Sequence, residues 1–171
     1  MNAIVIYKSK TGFSKGYAEW IAEALGCETL EAAQMKRADL SRYDVLVYGA
    51  YCHAGFIAGV KPFLAAALPL KKKSAVFAVG ASPAENPEID EALRRNFTDE
   101  QWNSLRAFYL PGGLRYEKMG FMDKTLMAAF RAMTKKTEGE DSEMYKMLCR
   151  SYDLSDKKYI APLVEYCREE A

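Results

Sequence analysis

The chain alternates short apolar runs with longer segments in which apolar residues recur at helical spacing. Runs rich in β-branched residues, such as IVIY and VLVYG, are typical of strands that are buried on both faces of a sheet. The run CETLEA gives a weaker signal because acidic residues interrupt it. The pattern therefore predicts five strands, at residues 3–7, 27–32, 45–49, 74–80 and 107–113.

Between and after these strands, the pattern predicts amphipathic helices. In the first helix Tyr17 and Ile21 share one face, and Gly26 stands where a helix that begins at Ser14 would end. Pro62 falls in the first turn of the second helix, where proline is tolerated. The last helix follows a Ser-Asp cap. Helices are predicted at residues 14–25, 59–68, 88–96, 99–105, 120–136 and 155–169.

This alternation of strands and helices indicates βαβ crossovers and a parallel sheet. Five strands in 171 residues favour an α/β doubly wound sheet with helices on both faces, in one domain that spans residues 1–171. In such folds ligands lie beyond the carboxyl ends of the strands, where the strand order reverses. A site is therefore predicted in the loops after Tyr7, Gly49 and Gly80.

Composition and charge narrow the classes of function. The 24 basic and 23 acidic residues give a formal net charge of +1, which offers no electrostatic reason to expect nucleic acid as a partner. Every apolar stretch is shorter than the roughly 20 residues that span a bilayer. A signal peptide has a basic segment before its apolar run, and the first apolar run of this chain has none. We therefore expect a cytoplasmic protein.

The four cysteines, Cys27, Cys52, Cys149 and Cys167, are not spaced as C-x-x-C, and the sequence holds a single histidine. This pattern favours neither a zinc site nor a redox-active dithiol. Cys27, Cys149 and Cys167 are expected to be small buried apolar side chains. Cys52 is equally compatible with packing and with a place in a functional loop.

The segment SKTGFS leads from the first predicted strand directly into a helix. Unpaired N–H groups and the dipole at a helix start attract anions, hydroxyl groups add donors, and glycine lets the backbone approach closely. Here Ser9, Thr11 and Ser14 surround Gly12. The segment matches neither G-x-x-x-x-G-K-[ST] nor G-x-G-x-x-G. It predicts a phosphate site, and the alternative is a polar turn in which Ser14 simply caps the helix.

SKTGFS also resembles the phosphate-binding loop of the flavodoxin family, T/S-x-T-G-x-T/S, which holds the phosphate of FMN. The resemblance implies a flavodoxin-like sheet with the strand order 2-1-3-4-5, and FMN as the cofactor. The implied phosphate ligands are the hydroxyl groups of Ser9, Thr11 and Ser14 and the backbone of Lys10, Gly12 and Phe13.

In that family the flavin ring lies between the loops after the third and fourth strands, here residues 50–56 and 81–87. Tyr51 and His53 would cover one face of the ring or bond its edge. Alternatively, Tyr51 packs on the sheet and His53 is structural or exposed. The peptide between Ala54 and Gly55 would face flavin N5, because glycine tolerates both orientations of a flipping peptide. The implied ring-binding residues are Ala50, Tyr51, Cys52, His53, Ala54, Gly55, Ala81, Ser82 and Pro83.

Residues 112–141 resemble the segment after the fifth strand in a narrower flavodoxin-like group, the menaquinone-dependent protoporphyrinogen IX dehydrogenases. Lys135 and Lys136 stand where that group has Gly-Gly, and Met122 stands where it has an aromatic residue. The resemblance implies an insertion helix after the fifth strand and oxidation of a porphyrinogen with a quinone as acceptor. The matching positions are Gly113, Leu114, Arg115, Tyr116, Asp123, Lys124, Met133 and Thr134.

The insertion helix, residues 120–136, has a broad apolar surface with basic residues at its margin. One interpretation is a docking face for a membrane surface, a quinone or a hydrophobic substrate. The other is a helix packed over the edge of the sheet, in which methionines fill gaps. Arg115 either pairs with an acidic group of a substrate or partner, or forms an internal salt bridge.

The leading hypothesis is therefore an FMN-dependent redox protein, either an electron carrier or a small oxidoreductase, with a small-molecule or protein redox partner. No set of residues typical of hydrolytic catalysis is visible in the sequence. A net charge near zero favours an enzyme over a conventional, strongly acidic flavodoxin. The alternative is a non-redox binding module that kept the scaffold and lost FMN.

Overall fold

The computed structural model describes residues 2–169. Over these residues the strands are β1 (Ala3–Lys8), β2 (Glu28–Glu31), β3 (Val45–His53), β4 (Phe56–Ile57), β5 (Lys73–Gly80), β6 (Arg106–Pro111), β7 (Gly113–Leu114) and β8 (Tyr152–Asp153). The main sheet has the order β2-β1-β3-β5-β6, and all of these neighbours are parallel. Among its five parallel strands this is the order 2-1-3-4-5, so the predicted α/β doubly wound sheet is confirmed.

The central strands are buried on both faces, which explains their continuous apolar runs. Along β1, Ala3 and Val5 pack into one helical layer, whereas Ile4 and Ile6 pack into the other. All four side chains are at most 3% exposed. The predicted burial of this strand on both sides is therefore confirmed.

Seven α-helices occur in the described range: α1 (Phe13–Leu25), α2 (Val60–Ala67), α3 (Ile89–Arg94), α4 (Asp99–Asn103), α5 (Phe121–Glu138), α6 (Glu143–Leu148) and α7 (Ala161–Arg168). Side chains of α1 and α7 pack on one face of the sheet. Side chains of α2, α3 and α4 pack on the other face. The last helix is shorter than predicted, because a 3-10 turn at Lys157–Ile160, capped by Asp156, precedes it.

Residues 50–53, predicted as part of a loop, instead continue β3. They do so because Ala50 and Tyr51 still pair with β5, and Cys52 and His53 pair with the antiparallel strand β4. The turn between the two strands consists of Ala54 and Gly55, whose φ angles are 49° and 82°. Two consecutive positive φ angles match the twist of a tight hairpin. The prediction missed this turn because alanine rarely adopts a positive φ.

A segment that we call the insertion, residues 115–151, separates the sheet from the C-terminal helix and contains α5 and α6. Its two ends are joined by antiparallel pairing of β7 with β8, in which Gly113 lies opposite Asp153. Within the described structure, Thr134 is the only buried residue of α5. The interpretation of this helix as one that buries its apolar surface on the edge of the sheet is therefore wrong.

Candidate functional site

A cleft opens at the carboxyl ends of β1, β3 and β5, as expected for a doubly wound sheet. It encloses about 720 Å³ of space, part of which is open to solvent. Nine of the predicted site residues line it: Ser9, Lys10, Thr11, Phe13, Ser14, Tyr51, Cys52, His53 and Ala81. The structure thus brings together the first loop and the ends of the other two strands.

The first loop ends at the N-terminus of α1, and Gly12 is its N-cap residue. Gly12 has φ 99°, a conformation that glycine adopts readily. The N–H of Gly16 donates the first bond of the helix to Gly12 O at 3.0 Å. The N–H groups of residues 13–15 come before that bond, and within the described chain no side chain caps them. They form the positive end of the helix dipole beside the cleft.

Ser14 lies in the first turn of this helix and lines the cleft. The alternative in which Ser14 caps the helix is therefore wrong. Its side chain is 1% exposed, and its hydroxyl group finds no hydrogen-bond partner among residues 2–169. A buried polar group without a partner costs about 1–3 kcal/mol, so an acceptor atom in the cleft would be stabilising.

Ser9 and Thr11 complete the polar end of the cleft. The N–H of Gly12 donates a hydrogen bond to Ser9 Oγ at 3.2 Å, and this bond closes the loop. Hydroxyl groups and free helix N–H groups around one turn are the donors that suit a phosphate monoester. The residues present therefore fit the phosphate of a nucleotide such as FMN.

Arg115 contacts this loop from the base of the insertion. Its Nη1 donates to Thr11 O at 3.0 Å, and its Nη2 donates to Asp153 Oδ2 at 2.9 Å. Burial tends to raise the pKa of Asp153, but hydrogen bonds from Ser155 and Arg115 outweigh burial and hold that pKa below its ordinary value. Of the two roles predicted for Arg115, the structure therefore shows the internal salt bridge.

The other end of the cleft lies between the end of β3 and the end of β5. Tyr51 is half-buried there and His53 is exposed, and both side chains line the cleft. Burial raises the pKa of the Cys52 thiol to about 11, so this thiol is protonated near neutral pH. Cys52 consequently contributes packing and not a thiolate nucleophile.

The remaining predicted ring-binding residues lie elsewhere. Ala54, Gly55 and Ser82 line a second, adjoining cleft, while Ala50 is fully buried inside the sheet and Pro83 lines neither cleft. The two clefts share the wall formed by Cys52, Gly80 and Ala81.

Two tyrosines fix the loop after β5 between these clefts. The hydroxyl group of Tyr152 donates to Ala81 O, and that of Tyr109 donates to Ser82 O, both at 2.8 Å. Tyr152 belongs to β8, so the strand that follows the insertion helps to shape this end of the cleft.

The insertion also supplies an outer wall that the sequence did not reveal. Met119, Leu126 and Met127 line the cleft from this side. Lys10 donates to Asp123 Oδ1 at 2.7 Å, and this hydrogen bond raises the pKa of Lys10. The only signal for these contacts was the resemblance that singled out Asp123, because the partners are 113 residues apart along the chain.

No group of three or more His, Cys, Asp or Glu side chains in residues 2–169 is placed to hold a metal ion. Over the same range no helix combines the length and the apolar character needed to cross a membrane.

The match of this chain to a known protein family agrees with the strand order of the main sheet. A family profile described as the flavodoxin domain matches residues 4–141. Among curated proteins, none matches the chain.

Several solved structures are similar to this chain at low identity. The Trp repressor binding protein from Bacillus subtilis is 12% identical, with a TM-score of 0.50, over 68% of this chain and 88% of that one. A flavoprotein in complex with FMN from Lactobacillus acidophilus NCFM is 18% identical, with a TM-score of 0.48, over 64% and 91%. A flavodoxin from the domain Archaea is 19% identical, with a TM-score of 0.46, over 85% and 99%. At such identities the likeness concerns the fold.

Proposed function

The chain belongs to the flavodoxin-domain family, and from this membership we propose that it binds FMN and acts in oxidation and reduction. The observation that carries the proposal is the buried hydroxyl group of Ser14, a residue that lines the cleft and whose hydroxyl has no partner among the described residues. It lies beside the free N–H groups at the start of α1. A phosphate group there would accept hydrogen bonds from both.

In this proposal the chain's own residues bind and shield the cofactor. Ser9, Thr11 and Ser14 hold the phosphate, and Tyr51 and His53 contact the ring at the far end of the cleft. The outer wall supplied by the insertion excludes water from the ring. When bound, FMN supplies electron or hydride transfer, and the protein provides position and environment.

For the finer function we propose a small oxidoreductase of the protoporphyrinogen dehydrogenase type with a quinone acceptor. Two observations support it. The G-L-R-Y segment lies at the base of the insertion, where Arg115 contacts the phosphate loop. The insertion itself forms one wall of the cleft, as an element that receives a substrate would. The alternatives are an electron carrier and a binding module that has lost FMN.

We further propose that α5 contacts a membrane surface that delivers the apolar acceptor. Its exposed side chains include Phe121, Met122 and Met133, which are 83%, 79% and 57% exposed. Leu126 is 49% exposed and also lines the cleft, so the apolar surface is continuous with the site. The cytoplasmic location remains a prediction from the sequence.

The direct test of cofactor binding is a titration of the purified protein with FMN, followed by flavin fluorescence, with riboflavin as the control ligand. We expect FMN to bind and riboflavin to bind more weakly, because riboflavin lacks the phosphate. If neither flavin binds, the redox proposal is wrong and the binding-module alternative gains support. Oxidation of protoporphyrinogen with a quinone, measured against free FMN, then separates an enzyme from a carrier.

A further inference from the structure

Arg115 makes three contacts at once, and all three concern the phosphate loop or its support. Besides the bonds to Thr11 O and to Asp153, its guanidinium lies over the ring of Phe13, with Cζ 3.9 Å from the ring centroid. The side chain is 27% exposed. The planar guanidinium of arginine can stack on an aromatic ring and donate hydrogen bonds in two directions at once. The ammonium group of lysine cannot do this.

On the side away from the loop, Asp153 holds the guanidinium of Arg115. Asp153 belongs to β8 and lies opposite Gly113 in the β7–β8 ladder. Its second carboxylate oxygen, Oδ1, accepts a hydrogen bond from the N–H of Ser155 at 2.8 Å. Both oxygens of Asp153 are thus engaged, and the guanidinium is held between a fixed carboxylate and the loop.

The bond to Thr11 O determines where the next N–H group points. A trans peptide is planar, and its C=O and N–H groups point in opposite directions. Because Arg115 holds the carbonyl oxygen of Thr11 on its own side, the N–H of Gly12 is directed away from the arginine. That N–H donates to Ser9 Oγ, and Ser9 lines the cleft.

The loop also leaves little freedom for another arrangement. A Cβ atom on Gly12 would lie 3.0 Å from Arg115 Nη1, and the φ angle of Gly12 is positive. The backbone and the guanidinium are therefore in close contact at the residue that precedes the helix.

We propose that Arg115 is a positioning residue that orients the phosphate loop and thereby makes the cleft selective for a phosphorylated flavin over the same flavin without phosphate. This inference rests on the proposed binding of FMN. The positive charge of Arg115 is already paired with Asp153. The selectivity therefore comes from the orientation of the loop N–H groups and not from the positive charge itself. The phosphate ester is recognised by the loop, and the ring is bound independently at the other end.

The test compares dissociation constants for FMN and riboflavin, measured by flavin fluorescence, in the wild-type protein and in variants. For Arg115→Gln we expect FMN affinity to fall by about tenfold or more, while riboflavin affinity changes by less than about twofold. Arg115→Lys keeps the charge and loses the planar guanidinium, and it should also lower FMN affinity. The matched control is Arg131→Gln, because Arg131 lies over Tyr116 in the same insertion; it should leave both affinities unchanged.

The outcomes separate this inference from the proposal beneath it. If wild-type protein binds no FMN, the proposed function fails. If the wild type binds FMN and Arg115→Gln binds it equally well, or loses FMN and riboflavin together, the positioning role is refuted. If Arg115→Lys binds FMN as tightly as the wild type, the positive charge at this position, and not the orientation of the loop, accounts for the selectivity, and the inference is refuted. Should Arg115→Gln not fold, Asp153→Asn tests the same anchor: we expect selective loss of FMN affinity, and an unchanged ratio of the two affinities would refute the inference.

Discussion

The hydroxyl group of Ser14 contrasts with that of Ser74, another fully buried serine. Ser74 Oγ donates to Lys72 O at 3.0 Å, whereas Ser14 Oγ has no such partner in the described chain. A satisfied buried hydroxyl stabilises the folded state, and an unsatisfied one opposes folding. The two serines therefore have opposite expected effects on the free energy of unfolding.

We expect Ser14→Ala to raise the free energy of unfolding of the flavin-free protein by about 1 kcal/mol and to weaken FMN binding by about tenfold. Urea denaturation and a fluorescence titration measure the two effects. The control, Ser74→Ala, should lower the free energy of unfolding by about 1 kcal/mol and leave FMN affinity unchanged. A flavin-free Ser14→Ala protein less stable than the wild type would contradict the argument.

Single residues show how far the candidate site could be predicted. Ser9, Thr11 and Ser14 lie in one short segment whose chemistry is local, and all three line the cleft. The contact of Arg115 with Thr11 joins positions 104 residues apart. No local pattern encodes such a pair, because it depends on how the insertion folds back onto the sheet.

At the scale of elements, α5 leaves most of its apolar side chains exposed, and Lys124 and Lys136 belong to the same helix. Apolar side chains flanked by basic ones favour binding at an anionic lipid surface. We expect the protein to sediment with anionic phospholipid vesicles, and the double variant Phe121→Ser/Met122→Ser to partition about tenfold more weakly.

The matched control for this experiment is Phe56→Ser, because Phe56 is 62% exposed but lies on β4. It should sediment as the wild type does. A wild-type protein that stays in the supernatant, or a double variant that sediments unchanged, would show that α5 does not bind lipid.

The elements differ in how well the sequence revealed them. The central strands β1, β3 and β5 were found because short, continuous apolar runs that contain β-branched residues are typical of buried strands, whereas β2 gave a weaker signal because acidic residues interrupt it. The short strands β4, β7 and β8 were missed, since two residues have no period at all. Helix α5 was located correctly, but the sequence left two interpretations of its environment open, because an amphipathic pattern shows which face is apolar and not what covers it.

At the scale of the whole molecule, buried and half-buried tyrosines connect segments that are distant in the sequence. Tyr17 in α1 donates to Pro111 O at 2.6 Å and accepts from the N–H of Asp156 at 3.3 Å. Burial raises the pKa of Tyr17 and of Tyr152 to about 12, and it also raises the pKa of Tyr48 and of Tyr109.

These tyrosines predict a loss of stability at high pH. In the unfolded chain tyrosine ionises near pH 10, so below about pH 10 their contribution is fully present. It is lost as the pH rises toward the folded values, at up to about 1.4 kcal/mol per pH unit for each group. Urea denaturation between these limits should show a steep fall that is shallower in Tyr17→Phe. An identical slope in that variant would contradict the assignment to Tyr17.

The ladder of β7 and β8 has a consequence for how this protein can diversify. The chain enters the insertion from β7 and leaves it into β8, and these two strands pair with each other, with Gly113 opposite Asp153, so the two ends of the insertion lie side by side. The length and sequence of the insertion beyond Arg115 can therefore change without moving a strand of the sheet. The sheet and the first loop can stay constant while that part of the insertion is exchanged.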